Sequence, residues 1–312
     1  MAYSYPWIML ACLGLTLAPV SPGIADTTGV EAQKSAAAEI DATVSPNAAT
    51  SSTNSAQAKQ PDIGVIPPIV PVTPPHQTVM SIQCAVPNSA LADNVPLPRL
   101  AKRLRNNLKP VVLAVGSSST WGVGSSSRRK TYPAQLENIL EKVWSGKDVE
   151  VINRGVSGET ASGTADRLLN LAAQFKPDLI LWQLGTNDAV LRVRIEDFTH
   201  TVVSTVRKLR EANIDVVLVG LQYTPKWARD SHYFAIRDTL YKIAKQEKLL
   251  YVRRYKAMEF LARTNKSLNI MARDNFHLND MGYQCMAEQV AQAVVTNLFL
   301  RRKAPADNKQ VQ

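Results

Sequence analysis

A doubly wound, three-layer α/β/α domain built on a parallel sheet is the fold that this sequence predicts. Five short runs of Val, Ile and Leu alternate with longer amphipathic stretches across roughly the last 200 residues of the 312-residue chain. The short runs are apolar at successive positions, so both of their faces are covered, as in parallel strands packed between helices. Strict alternation of strand and helix selects the three-layer arrangement over a sandwich or a bundle. At 45% apolar and 20% charged residues, the chain has material for a full core and is not a disordered polyelectrolyte.

The elements follow in order. Trp7 to Val20 is an apolar run too short for an ordinary membrane-spanning helix. Gly23 and Ala25 place small residues just ahead of Asp26, which is the pattern of an export signal ending at residue 25, although no Lys or Arg precedes the run. An uncleaved anchor is the other outcome, so the expected location is periplasmic or extracellular, with a membrane tether if the segment is retained. Residues 26–96 are rich in Ala, Ser, Thr, Asn and Pro, with a Pro-studded stretch from Ile66 to Pro75. Such a stretch cannot bury enough apolar surface to offset its ordering entropy and reads as a tether. It contains His76, which is therefore a poor catalyst.

The folded region is expected over residues 97–303, with a flexible tail at 304–312. Val111–Val115, Val149–Asn153, Leu179–Leu184, Asp215–Gly220 and Leu250–Arg253 are the strands. Tyr132–Trp144, Thr164–Phe175, Ile195–Ala212, Tyr233–Glu247 and Asp280–Leu300 carry helical periodicity, the last behind a cap at Asn279.

In sheets of this kind the ligand site lies at the carboxyl ends of the strands. Four such ends carry polar turns: Gly116-Ser117-Ser118-Ser119-Thr120-Trp121, Asn153-Arg154-Gly155-Val156-Ser157-Gly158, Gly185-Thr186-Asn187-Asp188, and Asp274-Asn275-Phe276-His277 before the last helix. Each alone is ordinary turn chemistry. Together they supply what acyl transfer needs: a nucleophile, a base, an orienter for the base and donors for the oxyanion. Ser118 is the nucleophile, His277 the base and Asp274 its orienter. The Ser118 and Gly158 N–H groups and the Asn187 amide are the donors. Ser117, Trp121 and His232 are candidates to line the substrate site, with His232 also the runner-up as base. His200 falls mid-helix, as a surface or packing residue.

These four turns are where the chain resembles the SGNH hydrolase superfamily, the GDSL-type esterases and lipases. Gly116-Ser117-Ser118 stands for the family's Gly-Asp-Ser, Asn153 to Gly158 for its Asn-x-Gly-x-Ser-Gly, Gly185 to Asp188 for its Gly-x-Asn-Asp, and Asp274 to His277 for its Asp-x-x-His. The resemblance implies a flavodoxin-like sheet of order 2-1-3-4-5, which sets Ser118 between Gly158 and Asn187. One position departs from the pattern: Ser117 stands where the family has Asp.

The rest bounds the partners. The first 98 residues hold two bases and six acids, and the remaining 34 bases and 20 acids give residues 99–312 a net charge of +14. That favours an anionic envelope polymer as partner; a generic basic surface is the alternative. Export argues against nucleic acid. Three cysteines and four histidines exclude a four-cysteine zinc site and leave little for a multi-histidine centre. No Cys-x-x-Cys, His-Glu-x-x-His or Walker lysine occurs, so no metal, cofactor or nucleotide hydrolysis is implied. Cys84 and Cys285 pair in an oxidising compartment or remain two buried thiols. The resemblance implies O-deacetylation of glycans, short-chain ester hydrolysis or lysophospholipid hydrolysis, with acyl transfer where water is excluded. No long apolar lid occurs, which favours acetyl or short acyl esters on carbohydrate. A flavin-binding protein and an idle glycan-binding module are the non-enzymatic alternatives.

Overall fold

The computed structural model describes residues 79–298 and residue 300. The export signal, His76, most of the tether and the C-terminal tail lie outside the described residues.

Among the described residues the elements run α1 (Asn88–Leu91), α2 (Pro98–Arg105), β1 (Val111–Gly116), α3 (Ser118–Trp121), α4 (Tyr132–Val143), β2 (Glu150–Gly155) and α5 (Ala161–Phe175). They continue with β3 (Leu179–Gln183), α6 (Thr186–Val190), α7 (Ile195–Glu211), β4 (Asp215–Val219), α8 (Ser231–Gln246), β5 (Leu250–Val252), α9 (Arg254–Thr264) and α10 (Asp280–Leu298). The strands form one parallel sheet of order β2-β1-β3-β4-β5, as expected. Side chains alternate across it. Val112, Ala114, Leu179 and Leu181 face one core with α4 and α10, while Leu113, Val115, Ile180 and Trp182 face the other with α5, α7 and α8. Two covered faces are why these strands read as unbroken apolar runs.

The folded region begins earlier than Leu97. Cys84, Val86, Ala90 and Leu91 are buried in the core. The segment has little backbone pairing of its own and borrows acceptors from α10. Val79 N donates to Gln292 Oε1 (2.8 Å), Ser81 N to Glu288 Oε2 (2.7 Å) and Val95 N to Asn297 Oδ1 (2.7 Å). Four residues of helix among prolines leave no period to read, so composition alone assigned this stretch to the tether.

Cys84 and Cys285 form a disulfide that pins this segment to α10 across 201 residues of chain. A link across so long a loop restricts the unfolded chain. Replacing both cysteines by Ala is expected to cost about 2–5 kcal/mol. Urea unfolding under non-reducing conditions checks it, and an unmoved midpoint would mean that noncovalent packing already fixes the segment.

Candidate active site

The nucleophile turn is built on one glycine constraint and one glutamine. Gly116 ends β1 with φ +146°, and a Cβ there would lie 2.4 Å from the Gln183 carbonyl oxygen. Ser117 follows in non-helical geometry and starts α3. Its N–H and hydroxyl both donate to Gln183 Oε1 (3.1 and 3.2 Å), and Thr120 Oγ1 donates to the same oxygen (3.3 Å). Ser117 is therefore buried turn structure and not a substrate-lining group. Ser118 is the first residue of α3, 7% exposed at the sheet's carboxyl edge. Its carbonyl accepts from Gly122 and Val123, which closes the helix into a loop.

That loop meets the histidine segment. Tyr283 Oη donates to the Val123 carbonyl (2.7 Å). Gly124, at φ +91°, has no room for a side chain: a Cβ would come 2.4 Å from the Leu278 carbonyl and 3.2 Å from His277 Cβ. Ser126 N and Oγ donate to Asp280 at the start of α10 (2.7 and 2.6 Å).

Asp274 and His277 lie in the loop between α9 and α10. Asp274 Oδ1 accepts from the Phe276 and His277 amides (3.0 and 2.9 Å), and Oδ2 lies 2.6 Å from His277 Nδ1. A pairing between Ala272 N and the His277 carbonyl (2.8 Å) closes the loop. Burial pushes the Asp274 carboxyl up, but the His277 ring and the two amides outweigh it and hold the group at about 2. An ionised Asp274 places the imidazole proton on Nδ1 and leaves Nε2 as the basic nitrogen. No hydrogen bond joins His277 to Ser118; the ring's contact is the one that Nδ1 makes with Asp274.

The second and third strand ends flank Ser118 on either side, since β1 lies between β2 and β3. Asn153 Oδ1 accepts from Gly155 N (2.9 Å) while its Nδ2 donates to the Thr120 carbonyl (2.7 Å), tying β2 to the nucleophile helix. Gly155 is required because a Cβ would stand 2.2 Å from Trp121 N. Gly158 is exposed, at φ +84°, with open space where a Cβ would be. Its glycine is demanded by backbone conformation and not by close approach. Asn187 Nδ2 donates to the Glu159 carbonyl (2.8 Å), which brings the amide beside the Glu159–Thr160 peptide. An amide nitrogen carries two N–H donors, so this bond uses only one of them. Asp188, pushed up by its burial, accepts from Gly185 N (3.2 Å) and Ala161 N (2.9 Å). Asp188, not Asn187, caps α6.

Other sequence candidates fall elsewhere. His232 Nε2 is bound to the Val193 carbonyl (3.0 Å), and His200 is exposed on α7. Trp121 is 45% exposed beside the turn, with the Arg128 guanidinium 3.8 Å over its ring. Sequence reasoning missed a groove of about 570 Å³ beside Asp274, lined by Val190, Pro225, Trp227 and Phe276. It also missed Gln183, Gln222 and Arg254. Gln183 is a polar residue closing a fully buried strand, which is a legible signal. Arg254, the first residue of α9, gives no such signal; its Nη2 donates to Ser119 Oγ and Gln222 Oε1, both at 3.0 Å.

Fold and strand-end turns define the class: this is an SGNH-type ester-hydrolysing enzyme. The chain belongs to the Non-GDSL lipase-like family, which it matches over residues 83–299. That family name suits Ser117 in the place of the usual Asp. The chain is 28% identical to the esterase TesA of Pseudomonas aeruginosa over 142 residues, 45% of this chain and 68% of that protein. An arylesterase of Vibrio mimicus is 28% identical over 172 residues, 54% of this chain and 80% of that one. The crystal structure of TesA aligns with a TM-score of 0.52 at 26% identity, over 59% of this chain and 97% of that one. A two-domain esterase active on acetylated mannans shares the fold, with a TM-score of 0.56 at 22% identity over 70% of this chain and 60% of that one.

Proposed function

We propose that the protein is an exported serine esterase that removes acetyl or other short acyl groups from a cell-envelope or extracellular glycan. The observation that carries the mechanism is the 2.6 Å contact between an ionised Asp274 and His277 Nδ1. In this reading His277 Nε2 takes the Ser118 proton as Oγ attacks the ester carbonyl. The oxyanion sits between the Ser118 and Gly158 N–H groups and the Asn187 amide. His277 then returns the proton to the leaving alcohol, and water, activated by the same imidazole, releases the acid. Ser117 does not enter the chemistry, because the Asp of the usual motif is not the base's partner; here Gln183 braces the turn instead.

Support for the substrate comes from several directions. An esterase of the same fold acts on acetylated mannans. The groove beside Asp274 presents Trp227 and Phe276, aromatic rings of the kind that pack on sugar faces. The +14 charge of residues 99–312 suits an acidic polymer. The Cys84–Cys285 disulfide fits an oxidising compartment and hence export. A panel of p-nitrophenyl esters of increasing chain length, run beside O-acetylated glycans, tests it. Acetyl esters turning over fastest is the expected result, and an optimum at long chains would transfer the substrate to lipids.

Asp274 gives the site one pH dependence of its own. Its folded pKa is depressed from 3.8 to about 2, so its contact stabilises the fold above pH 3.8 and is lost as pH falls through about 2.

A further inference from the structure

Arg254 is wholly buried, and among the described residues no carboxylate pairs with it. Its Nε and Nη1 have no partner, and burial pulls the guanidinium below its ordinary pKa, opposed by the hydroxyls of Tyr283, Tyr233 and Tyr132. A buried, unpaired cation is costly, and an apolar side chain of similar shape serves stability at least as well. A cation in the first turn of a helix is also disfavoured by the helix dipole. Stability therefore does not account for an arginine here.

Its contacts do. Arg254 Nη2 donates to Ser119 Oγ, one residue past Ser118, and to Gln222 Oε1. Gln222 Nε2 donates in turn to the carbonyl of Phe276, one residue before His277 (2.9 Å), and Gln222 N donates to Thr186 Oγ1, one residue before Asn187 (3.3 Å). The Gln222 amide has an accepting end and a donating end, and a guanidinium only donates. Arg254 therefore fixes the amide oxygen toward itself and the nitrogen toward Phe276. One buried group thus reaches the nucleophile turn directly and the histidine and asparagine turns through a single glutamine.

We propose that Arg254 is a positioning residue for ester hydrolysis, holding the Ser118 turn and the His277 loop at a fixed separation through Ser119 and Gln222. This rests on the Ser118–His277–Asp274 assignment proposed above. Misplacing reacting groups by about 1 Å costs up to about 100-fold in rate.

The test uses the full chain. Arg254→Met is expected to lower kcat on p-nitrophenyl acetate about 10–100-fold with little change in KM and no loss of Tm. Arg254→Lys, which still donates, is expected to retain an intermediate kcat. A purely structural role gives the reverse: a lowered Tm with kcat per folded molecule unchanged. Either that pattern or an Arg254→Met kcat within about twofold of wild type overturns the proposal. Should Arg254→Met fail to fold, Ser119→Ala deletes one contact alone, and it must lower kcat at unchanged Tm for the proposal to stand. Ser118→Ala is run alongside: if that variant keeps turning over, the triad assignment has failed, whatever Arg254 does.

Discussion

Ser118→Ala is expected to lower kcat on p-nitrophenyl acetate by about 10⁴–10⁶-fold, the scale on which serine hydrolases lose activity without their nucleophile. Folding should survive, because alanine favours helix and the Ser118 carbonyl that closes the α3 loop is untouched. Ser117→Ala is the matched control. It removes one of two bonds from Ser117 to Gln183 Oε1. The cost should be about 0.5–1.5 kcal/mol of stability, with a far smaller change in kcat. Melting temperature and kcat measured on both variants decide the register. If Ser117→Ala abolishes turnover while Ser118→Ala leaves it near wild type, the nucleophile lies one residue earlier.

Asn187→Ala is expected to lower kcat about 10²–10³-fold, as when one oxyanion donor is lost. KM should move little, because the charge that Asn187 meets develops only in the transition state. The substitution also deletes the bond to the Glu159 carbonyl, at about 0.5–1.5 kcal/mol. α6 keeps its cap, since Asp188 supplies it. A lowered melting temperature with unaltered kcat would reduce Asn187 to a brace for the Gly158 loop.

The strands were legible because β1, β3 and β4 are covered on both faces and so carry apolar residues at nearly every position. The long helices were legible from their period. Residues 79–96, α2 and α9 were not. The first borrows its hydrogen bonds from α10, and α2 is a short basic stretch whose Leu100 N–H is held by Asp215 (3.0 Å). The site divides the same way. Its turns are local chemistry and stand out in sequence. Gln183 and Arg254 act across 66 and 135 residues of separation, on Ser117 and Ser119, and acquire meaning only once the sheet is assembled. Gly158 has open space where a Cβ would stand, so it is its positive φ that needs glycine, a conformation that spacing in sequence does not reveal.

The Cys84–Cys285 bond also sets the route by which mechanical load crosses the molecule. A pull on the chain ahead of Val79 meets the disulfide five residues further in and passes straight into α10. The 200 residues between the two cysteines, which hold every strand, lie off that covalent route. The sheet can therefore be tugged by its leading end without a strand being peeled from its neighbour, which is the mode in which parallel strands part most easily.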